Sequence, residues 1–375
     1  MKKSLITGSL ITVLVALACI SLTGTAFSQA PIYDPSARAM FETLAPHNYA
    51  AVDPNAPPVT PLVQWTYTFT YNGTKYSDVF VGTNPASTDT TTTIHWGIIP
   101  IKFVFGSSNG NMTFDPTKAN EFGSLSADEM VTGSPQFSST VDFVQGGTDV
   151  GKTQYGDAYQ RANFWTDVTT NTNYHVLFAK AIIAPVQTIN VSASEGNVIP
   201  NPWGGYPTGT MDINVFDTEL QGIMAKFKQI QPNTFPIAVG YNMYLTSGGC
   251  CIGGYHSAFQ GPPNGQTYAY TSVMEQAAVP VFSQDIGALS HEVGEWILDP
   301  FTTNNSPCGI MENGDPLETE PSFGDFPYTV GGLTYHPQDL VFVDYFGAPV
   351  TQVNGWHTFQ NETNANGVCS RGPVG

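Results

Sequence analysis

Residues 290–300 contain the sequence His-Glu-x-x-Glu followed by a proline, a variant of the helical metal-binding signature His-Glu-x-x-His. Positions four apart lie on the same face of an α-helix, so the imidazole of His291 and the carboxylate of Glu295 can reach one cation. Glu292 lies on the next stripe of the helix. In zinc hydrolases with this signature, the glutamate at that position is the general base that activates water. The pattern therefore predicts a metal-binding helix with Glu292 as the candidate catalytic residue.

The residues around the motif favour a helix that ends at the proline. Ser283 can cap its start, and Pro300 disfavours the helical conformation at the residue before it. Gly287 and Gly294 each cost about 1 kcal/mol relative to alanine, so a close approach of backbone, metal or substrate would explain them. Apolar residues recur at helical spacing, at Ile286, Leu289, Val293, Trp296 and Ile297. The alternative is an ordinary surface helix with a solvated histidine and two glutamates.

A third metal ligand must come from outside the motif. Glu312 and Asp315 follow after a loop of suitable length, and each is an equal candidate for the third ligand. Both could instead be turn residues. Asp299 lies about 12 Å along the helix axis from the motif histidine, so it is expected to end the helix or to support a ligand. His256 and His336 are kept as reserve ligands. The remaining histidines lie in contexts typical of structural imidazoles: His47, His95, His175 and His357.

Several further motifs follow the order found in one known family. Gly-Gly-Tyr-His at 253–256 precedes the helix, Asp299-Pro300 ends it, and Cys308 and the stretch 311–315 (Met-Glu-Asn-Gly-Asp) follow. This arrangement resembles the EXORDIUM or phosphate-induced protein family of secreted plant proteins and their bacterial relatives. The resemblance is best over about residues 240–320 and weaker, in the same order, from about residue 90. It differs in the Glu-Ile-Gly-Asp element and lacks the cysteine that follows it in the plant proteins.

The resemblance implies a zincin-like fold, and we expect an α+β protein with a mixed sheet, an active-site helix and a β-rich N-terminal part. Strand, helix, strand, glycine-rich segment and metal helix follow one another as a zincin requires, with an edge strand to align the substrate. The pattern of apolar residues predicts strands over 64–71, 76–81, 93–105, 174–192 and 236–245, a tight turn at 72–73, and a helix over 214–229.

We expect three regions along the chain. Residues 1–30 are predicted to be a secretory signal peptide, because two lysines precede an apolar run that is too short for a stable membrane span. Residues 31–90 would form an N-terminal arm and a β-hairpin region, and residues 91–375 the zincin-like metal-binding domain. A lone membrane anchor and lipoprotein processing at Cys19 are the alternatives to the signal peptide. The mature chain is expected to be extracellular or periplasmic, with no membrane span after signal removal.

The net charge excludes one class of partner. The chain carries 12 basic and 30 acidic side chains, and removal of the two lysines of the leader changes the formal charge from -18 to 10 − 30 = -20. Such a surface repels phosphate backbones, so nucleic acid is not an expected partner. The oligomeric state is not predicted from the sequence.

Four cysteines remain after the leader, at Cys250, Cys251, Cys308 and Cys369, and three pairings are possible. In an exported protein, an even number of cysteines indicates disulfides. A bridge between adjacent cysteines closes a strained small ring, so we expect Cys250 and Cys251 to pair with Cys308 and Cys369. A cysteine zinc site is the alternative, but the adjacent pair lacks the Cys-x-x-Cys spacing that chelation prefers.

Two function classes follow from these observations. The first is a secreted zinc-dependent hydrolase, a metallopeptidase acting on a peptide or protein substrate, with His291, Glu295 and Glu312 or Asp315 as ligands. The second is a noncatalytic cell-surface or extracellular protein with a structural metal site or none. Carboxylate ligands acidify bound water less than histidines do, so Ca2+ or Mn2+ compete with Zn2+ for such a site.

We predict that the exported protein begins near Phe27 or Pro31 and contains no free thiol, since export removes the leader and oxidises an even set of cysteines. Intact-mass measurement after thiol alkylation under denaturing, non-reducing conditions tests both expectations. Four alkylated cysteines would contradict the disulfide prediction.

Overall fold

The computed structural model of the chain describes residues 40–43, 59–118, 125–201, 206–275, 284–318, 320, 322 and 324–372. All of them belong to one compact unit, Ser36–Gly375. The predicted boundary between residues 90 and 91 falls inside this unit. The predicted signal peptide, His47 and Ser283 lie outside the described residues. Within the described ranges, no helix is long and apolar enough to cross a membrane.

The described residues form twenty strands and six α-helices. The strands are β1 Met40–Thr43, β2 Gln64–Tyr71, β3 Thr74–Val81, β4 Thr91–Phe105, β5 Thr113–Phe114, β6 Val141–Gln145, β7 Thr148–Thr153, β8 His175–Phe178, β9 Ile182–Ile183, β10 Gln187–Val191, β11 Val198–Ile199, β12 Thr208–Asp212, β13 Thr234–Tyr241, β14 Met243–Thr246, β15 Cys250–Phe259, β16 Gln266–Val273, β17 Asn305–Ser306, β18 Gly309–Ile310, β19 Tyr328–Val330 and β20 Leu333–Tyr335. The helices are α1 Ala127–Gly133, α2 Tyr155–Asn163, α3 Trp165–Val168, α4 Ile213–Met224, α5 Gly287–Leu298 and α6 Asp315–Glu318.

A mixed twelve-stranded sheet forms the centre of the fold. Its main path runs β10-β4-β13-β16-β15-β14-β12-β11, and β1, β5, β8 and β9 pair with strands of this path. The strands β10, β4, β13 and β16 run parallel, whereas β15 runs antiparallel to both β16 and β14. The expectation of a strand-rich α+β protein with a mixed sheet and few helices is confirmed.

The two faces of the sheet contribute to two apolar cores. Successive side chains of a strand point to opposite faces, and β13 shows this alternation. Ile237 and Val239 belong to the core that contains Trp296 of α5, whereas Ala238 belongs to the core that contains Phe216 of α4. α5 packs directly on β15 and β16. The metal-binding motif is therefore carried by a helix that lies on one face of the sheet.

The local predictions match the elements closely. The hairpin β2–β3 turns at Asn72 and Gly73, both with positive φ, as the two-residue turn requires. The predicted helix over 214–229 is shorter at its end, and the predicted strand over 236–245 is divided at Asn242, which has φ 48°. The segment 174–192 contains three short strands in place of one long strand.

The motif helix α5 ends where the proline predicts. Its last helical residue is Leu298, and Asp299 follows with non-helical φ and ψ. Every residue of α5 is buried, so the alternative of a solvated surface helix is wrong. The indole of Trp296 stacks on Phe235 at 3.9 Å between ring centroids and donates a hydrogen bond to the Thr267 hydroxyl.

The disulfide pairing differs from our expectation. Cys250 pairs with Cys251, and Cys308 pairs with Cys369, so neither adjacent cysteine reaches the other two. The reason lies in the position of the second pair. The backbone N–H of Cys369 donates to the carbonyl of Tyr345, and the Cys308 Sγ lies 3.5 Å from that same oxygen. Both cysteines of the second pair thus lie at the Tyr345 carbonyl, whereas the adjacent pair lies at the start of β15.

We predict that Trp296→Ala destabilises the protein by about 3–5 kcal/mol, because it removes a fully buried aromatic side chain and its stacking contact with Phe235. Urea denaturation measures the change in the free energy of unfolding. Val350→Ala, at a valine that is 64% exposed, is the control and should change it by less than about 0.5 kcal/mol. Equal effects of the two substitutions would contradict the proposed packing of α5.

Candidate metal centre

The motif residues His291 and Glu295 converge on one face of α5. His291 Nε2 lies 2.8 Å from Glu295 Oε1, and both side chains are buried. The loop 311–314 approaches this face closely, because a Cβ on Gly314 would overlap the imidazole ring of His291. The backbone N–H of Gly314 donates to Glu295 Oε1 at 3.2 Å. Only glycine permits this approach of the loop to the helix.

Gln338 fixes the orientation of the His291 ring. Its side-chain oxygen forms a short hydrogen bond with Nδ1 of His291, so this nitrogen carries the proton and Nε2 faces the acids. The amide nitrogen of Gln338 donates to the carbonyl of Gly314, and its backbone N–H donates to the Ser290 hydroxyl. Histidines that bind metals are commonly held through their second ring nitrogen in this way. No pattern in the sequence marks this residue.

Two acids of α6 face the same imidazole. Asp315 Oδ1 lies 3.5 Å from His291 Nε2, and its side chain is 19% exposed. His291, Asp315 and Glu318 each offer a ligand atom within 4.8 Å of the others. We call these three residues the outer group. Glu318 was not among the predicted ligands, although its spacing of three from Asp315 places both on one turn of a helix.

A second group lies deeper, beside β15. The ligand atoms of His256, Glu292 and Glu295 lie within 4.8 Å of one another, and all three side chains are buried. His256 Nδ1 is 3.1 Å from Glu292 Oε2 and 3.7 Å from Glu295 Oε2. We call these residues the inner group. Since Glu295 reaches His291 through one oxygen and His256 through the other, it lies between the two groups.

Glu312 lies with the inner group. Its Oε2 is 3.8 Å from His256 Nε2, and no backbone or hydroxyl donor among the described residues bonds to its carboxylate. The two candidate third ligands are therefore separated, with Asp315 beside His291 and Glu312 beside His256. The reserve ligand His256 belongs to the cluster. The signal for it was the Gly-Gly-Tyr-His stretch, in which Gly254 leaves room for Glu292, 2.9 Å from where a Cβ would lie.

Asp299 ends the helix, and its carboxylate bonds to the backbone that follows. That carboxylate accepts hydrogen bonds from the backbone N–H groups of Thr303 and Asn304. Its carbonyl oxygen lies 3.1 Å from His256 Nε2. This position fits the expected roles of helix terminator and support for a ligand.

The other histidines lie outside both groups. The reserve ligand His336 pairs with Asp285 at 2.7 Å. His175 pairs with Asp157, and His357 pairs with Asp344. His95 is exposed on β4.

Burial dominates the electrostatics of the cluster. Loss of water raises the pKa of Glu292, Glu295 and Glu312 well above the ordinary value of a glutamate, and the neighbouring acids raise it further. Burial also lowers the pKa of His256 to about 3. Burial alone would lower the pKa of His291, but the hydrogen bond with Asp315 and the surrounding carboxylates raise it to about 9. A cation would stabilise these acids in their ionised form.

The donor set suits a metal ion. Two imidazoles and several carboxylates are ligand types that Zn2+ and Mn2+ accept, whereas Ca2+ prefers oxygen donors alone. The buried His/Glu groups could therefore hold a metal ion, and the second ring nitrogen of His291 is already occupied by Gln338.

No family model, curated protein or solved structure matches the chain. The resemblance to the EXORDIUM family therefore rests on the motif residues and stays a prediction.

We predict that the metal-free protein loses stability as the pH rises from 6.5 to about 9. Glutamates whose folded pKa is raised hold protons that the unfolded chain has already released, and His291 acts in the same direction up to its pKa of about 9. His256, with its lowered pKa, opposes this trend only below its ordinary value of 6.5. Calorimetric Tm values after chelation and dialysis measure the slope.

Other buried acids contribute to this slope, so a matched variant is needed. Glu295→Gln/Glu312→Gln removes two of the raised pKa values and should give a shallower fall in Tm over the same range. Added Zn2+ should also flatten the slope in the unmodified protein, because the ion replaces the protons. A metal-free protein with a constant Tm would contradict the prediction.

Proposed function

We propose that the protein is a secreted zinc-dependent hydrolase that cleaves peptide bonds. The observation that carries this proposal is the buried cluster in which a His-Glu-x-x-Glu helix brings together two histidines and three glutamates. Such a set of uncompensated acids is costly to bury unless a cation neutralises it. Strongly perturbed ionisable groups of this kind are typical of functional sites.

His291, Glu295 and Asp315 are the proposed zinc ligands. The imidazole nitrogen Nε2 of His291 faces both acids, at 2.8 Å from Glu295 and 3.5 Å from Asp315. Glu318 offers a further carboxylate oxygen within 4.8 Å of the ligand atoms of His291 and Asp315. A bound zinc ion would acidify a water molecule and polarise a carbonyl group. The acidic donor set leaves Mn2+ as a competitor.

Glu292 is the proposed general base. It is rotated by about 100° from His291 around the helix axis, so it borders the ion site without sharing the stripe of the motif ligands. Its Oε2 lies 3.1 Å from His256 Nδ1, while Oε1 accepts no hydrogen bond from any described residue. His256 can therefore hold the carboxylate in place while Oε1 receives a proton from water.

The zincin-like architecture belongs to the same proposal. The strand that passes beside α5 and contributes His256 is β15, which runs antiparallel to β16 and is paired on both edges. The acidic composition and the two disulfides support an exported, extracellular or periplasmic protein.

A second candidate function is favoured by the depth of the inner group. His256, Glu292 and Glu295 have at most 2% of their side-chain surface exposed. A closed site of this kind suits a structural ion in a noncatalytic extracellular protein. The outer group favours the catalytic function, because Asp315 and Glu318 are partly exposed.

We predict that Glu292→Gln retains zinc and the fold but lowers peptide cleavage by about a hundredfold or more, the usual scale of a lost general base. His291→Ala should lose the ion as well as the activity. His95→Ala is the matched control, since that exposed histidine lies outside both groups, and it should keep both. Peptide-library cleavage and the zinc content of each purified variant are the measurements.

Absence of cleavage by a fully zinc-loaded wild type would favour the structural alternative. Equal cleavage by wild type and Glu292→Gln would remove Glu292 from the mechanism. Retention of zinc by His291→Ala would indicate that the inner group binds the ion.

A further inference from the structure

The strand β15 has two edges, and they are covered differently. One edge pairs with β16 over Gly254–Phe259. β14 pairs with β15 at Cys250 and Ile252. β1, which is only four residues long, pairs with β15 from Ile252 to His256. Because Gly254–His256 already pair with β16 on one edge, β1 covers the opposite edge of this stretch, which we call the outer edge.

The stretch that β1 covers is also the stretch that borders the metal centre. Gly254 faces Glu292, and His256 bonds to the same glutamate. β1 pairs with these positions, since Phe41 lies opposite Gly254 and Thr43 lies opposite His256. β1 also lies next to α5. A polypeptide paired with this edge therefore runs alongside the candidate catalytic residue.

The exposed edge of a strand presents unpaired N–H and C=O groups that bind another extended chain. Without β1, the outer edge of β15 over Gly254–His256 would present such groups beside the cluster. The pairing with β1 is short and parallel, and parallel pairing is slightly less stable per residue than antiparallel pairing. A strand held in this way can be displaced at small cost.

We propose that β1 is an internal occupant of a strand-docking edge on β15, and that it must leave before another extended polypeptide can pair there. The site thereby takes an extended peptide segment as an added strand, and the chain blocks its own site until β1 is released. This inference rests on the proposed function, whose substrate class it narrows to polypeptides that can adopt an extended conformation.

The test uses two adjacent prolines in the full chain. Successive N–H groups of a strand point to opposite sides, so of Phe41 and Glu42 one must direct its N–H towards β15. Phe41→Pro/Glu42→Pro removes that donor and should release β1. Phe41→Ala/Glu42→Ala is the matched control, because it trims the same side chains but keeps both N–H groups.

Two measurements report release of β1 without requiring any hydrolysis. Hydrogen exchange of those amides of residues 252–256 that face β1 should be faster in the proline variant and unchanged in the alanine variant. A fluorescent peptide with the sequence of residues 36–47 should bind the proline variant about tenfold more tightly or better, since an occupied edge reduces the binding-competent fraction. A scrambled peptide of the same composition is the probe control.

If the proline variant does not fold, a second variant replaces it. A protease recognition sequence inserted between Ala50 and Ala51 allows β1 to be cut from the body after purification. Peptide binding is then compared before and after cleavage and gel filtration. Equal binding before and after, or equal exchange and peptide binding in the proline and alanine variants, would overturn the proposal.

Peptide cleavage separates this inference from the proposed function. Tighter binding without cleavage by any variant would leave the role of β1 intact and remove the hydrolase. Cleavage at equal rates by wild type and proline variant, with equal peptide binding, would leave the hydrolase intact and overturn the role of β1. Faster cleavage by the proline variant together with tighter binding is the expected result.

Discussion

Desolvation of the carboxyl groups around α5 is the constraint on which the rest of the structure depends. Glu292, Glu295 and Glu312 are buried with two imidazoles, and each needs a positive charge or a proton to remain there. A helix with such residues can be buried on every side only because its polar groups meet one another. The sheet beneath it and the loop above it supply the remaining members.

The same constraint explains why support for the cluster comes from three separate parts of the chain. β15 supplies an imidazole, the 311–318 region supplies acids, and Gln338 bonds to Nδ1 of the motif histidine. None of the three parts forms a site alone. The Cys308–Cys369 disulfide anchors the segment just before the acids to the C-terminal region, so the position of that segment is fixed covalently.

Features governed by local sequence were predictable. The end of α5 follows from Pro300, the turn of the first hairpin follows from Asn72-Gly73, and the shared face of His291 and Glu295 follows from their spacing. Features that depend on contacts between residues far apart in the sequence were not predictable. Gln338 lies 47 positions from His291, and nothing near it in the sequence marks its role. The prediction of the cysteine pairing failed for the same reason, because Cys308 and Cys369 meet across 61 positions of the sequence.

Three glycines determine how closely the parts of the candidate metal centre approach one another. A Cβ at Gly254 would press on Glu292, one at Gly314 would overlap His291, and one at Gly294 would overlap Leu340. Glu292 and His291 thus occupy space that a side chain on Gly254 or Gly314 would fill. In a saturation mutagenesis experiment, these three glycine positions, which have no reactive side chain, should then tolerate as few substitutions as the candidate ligands do. A search for functional residues guided only by reactive side chains would overlook them.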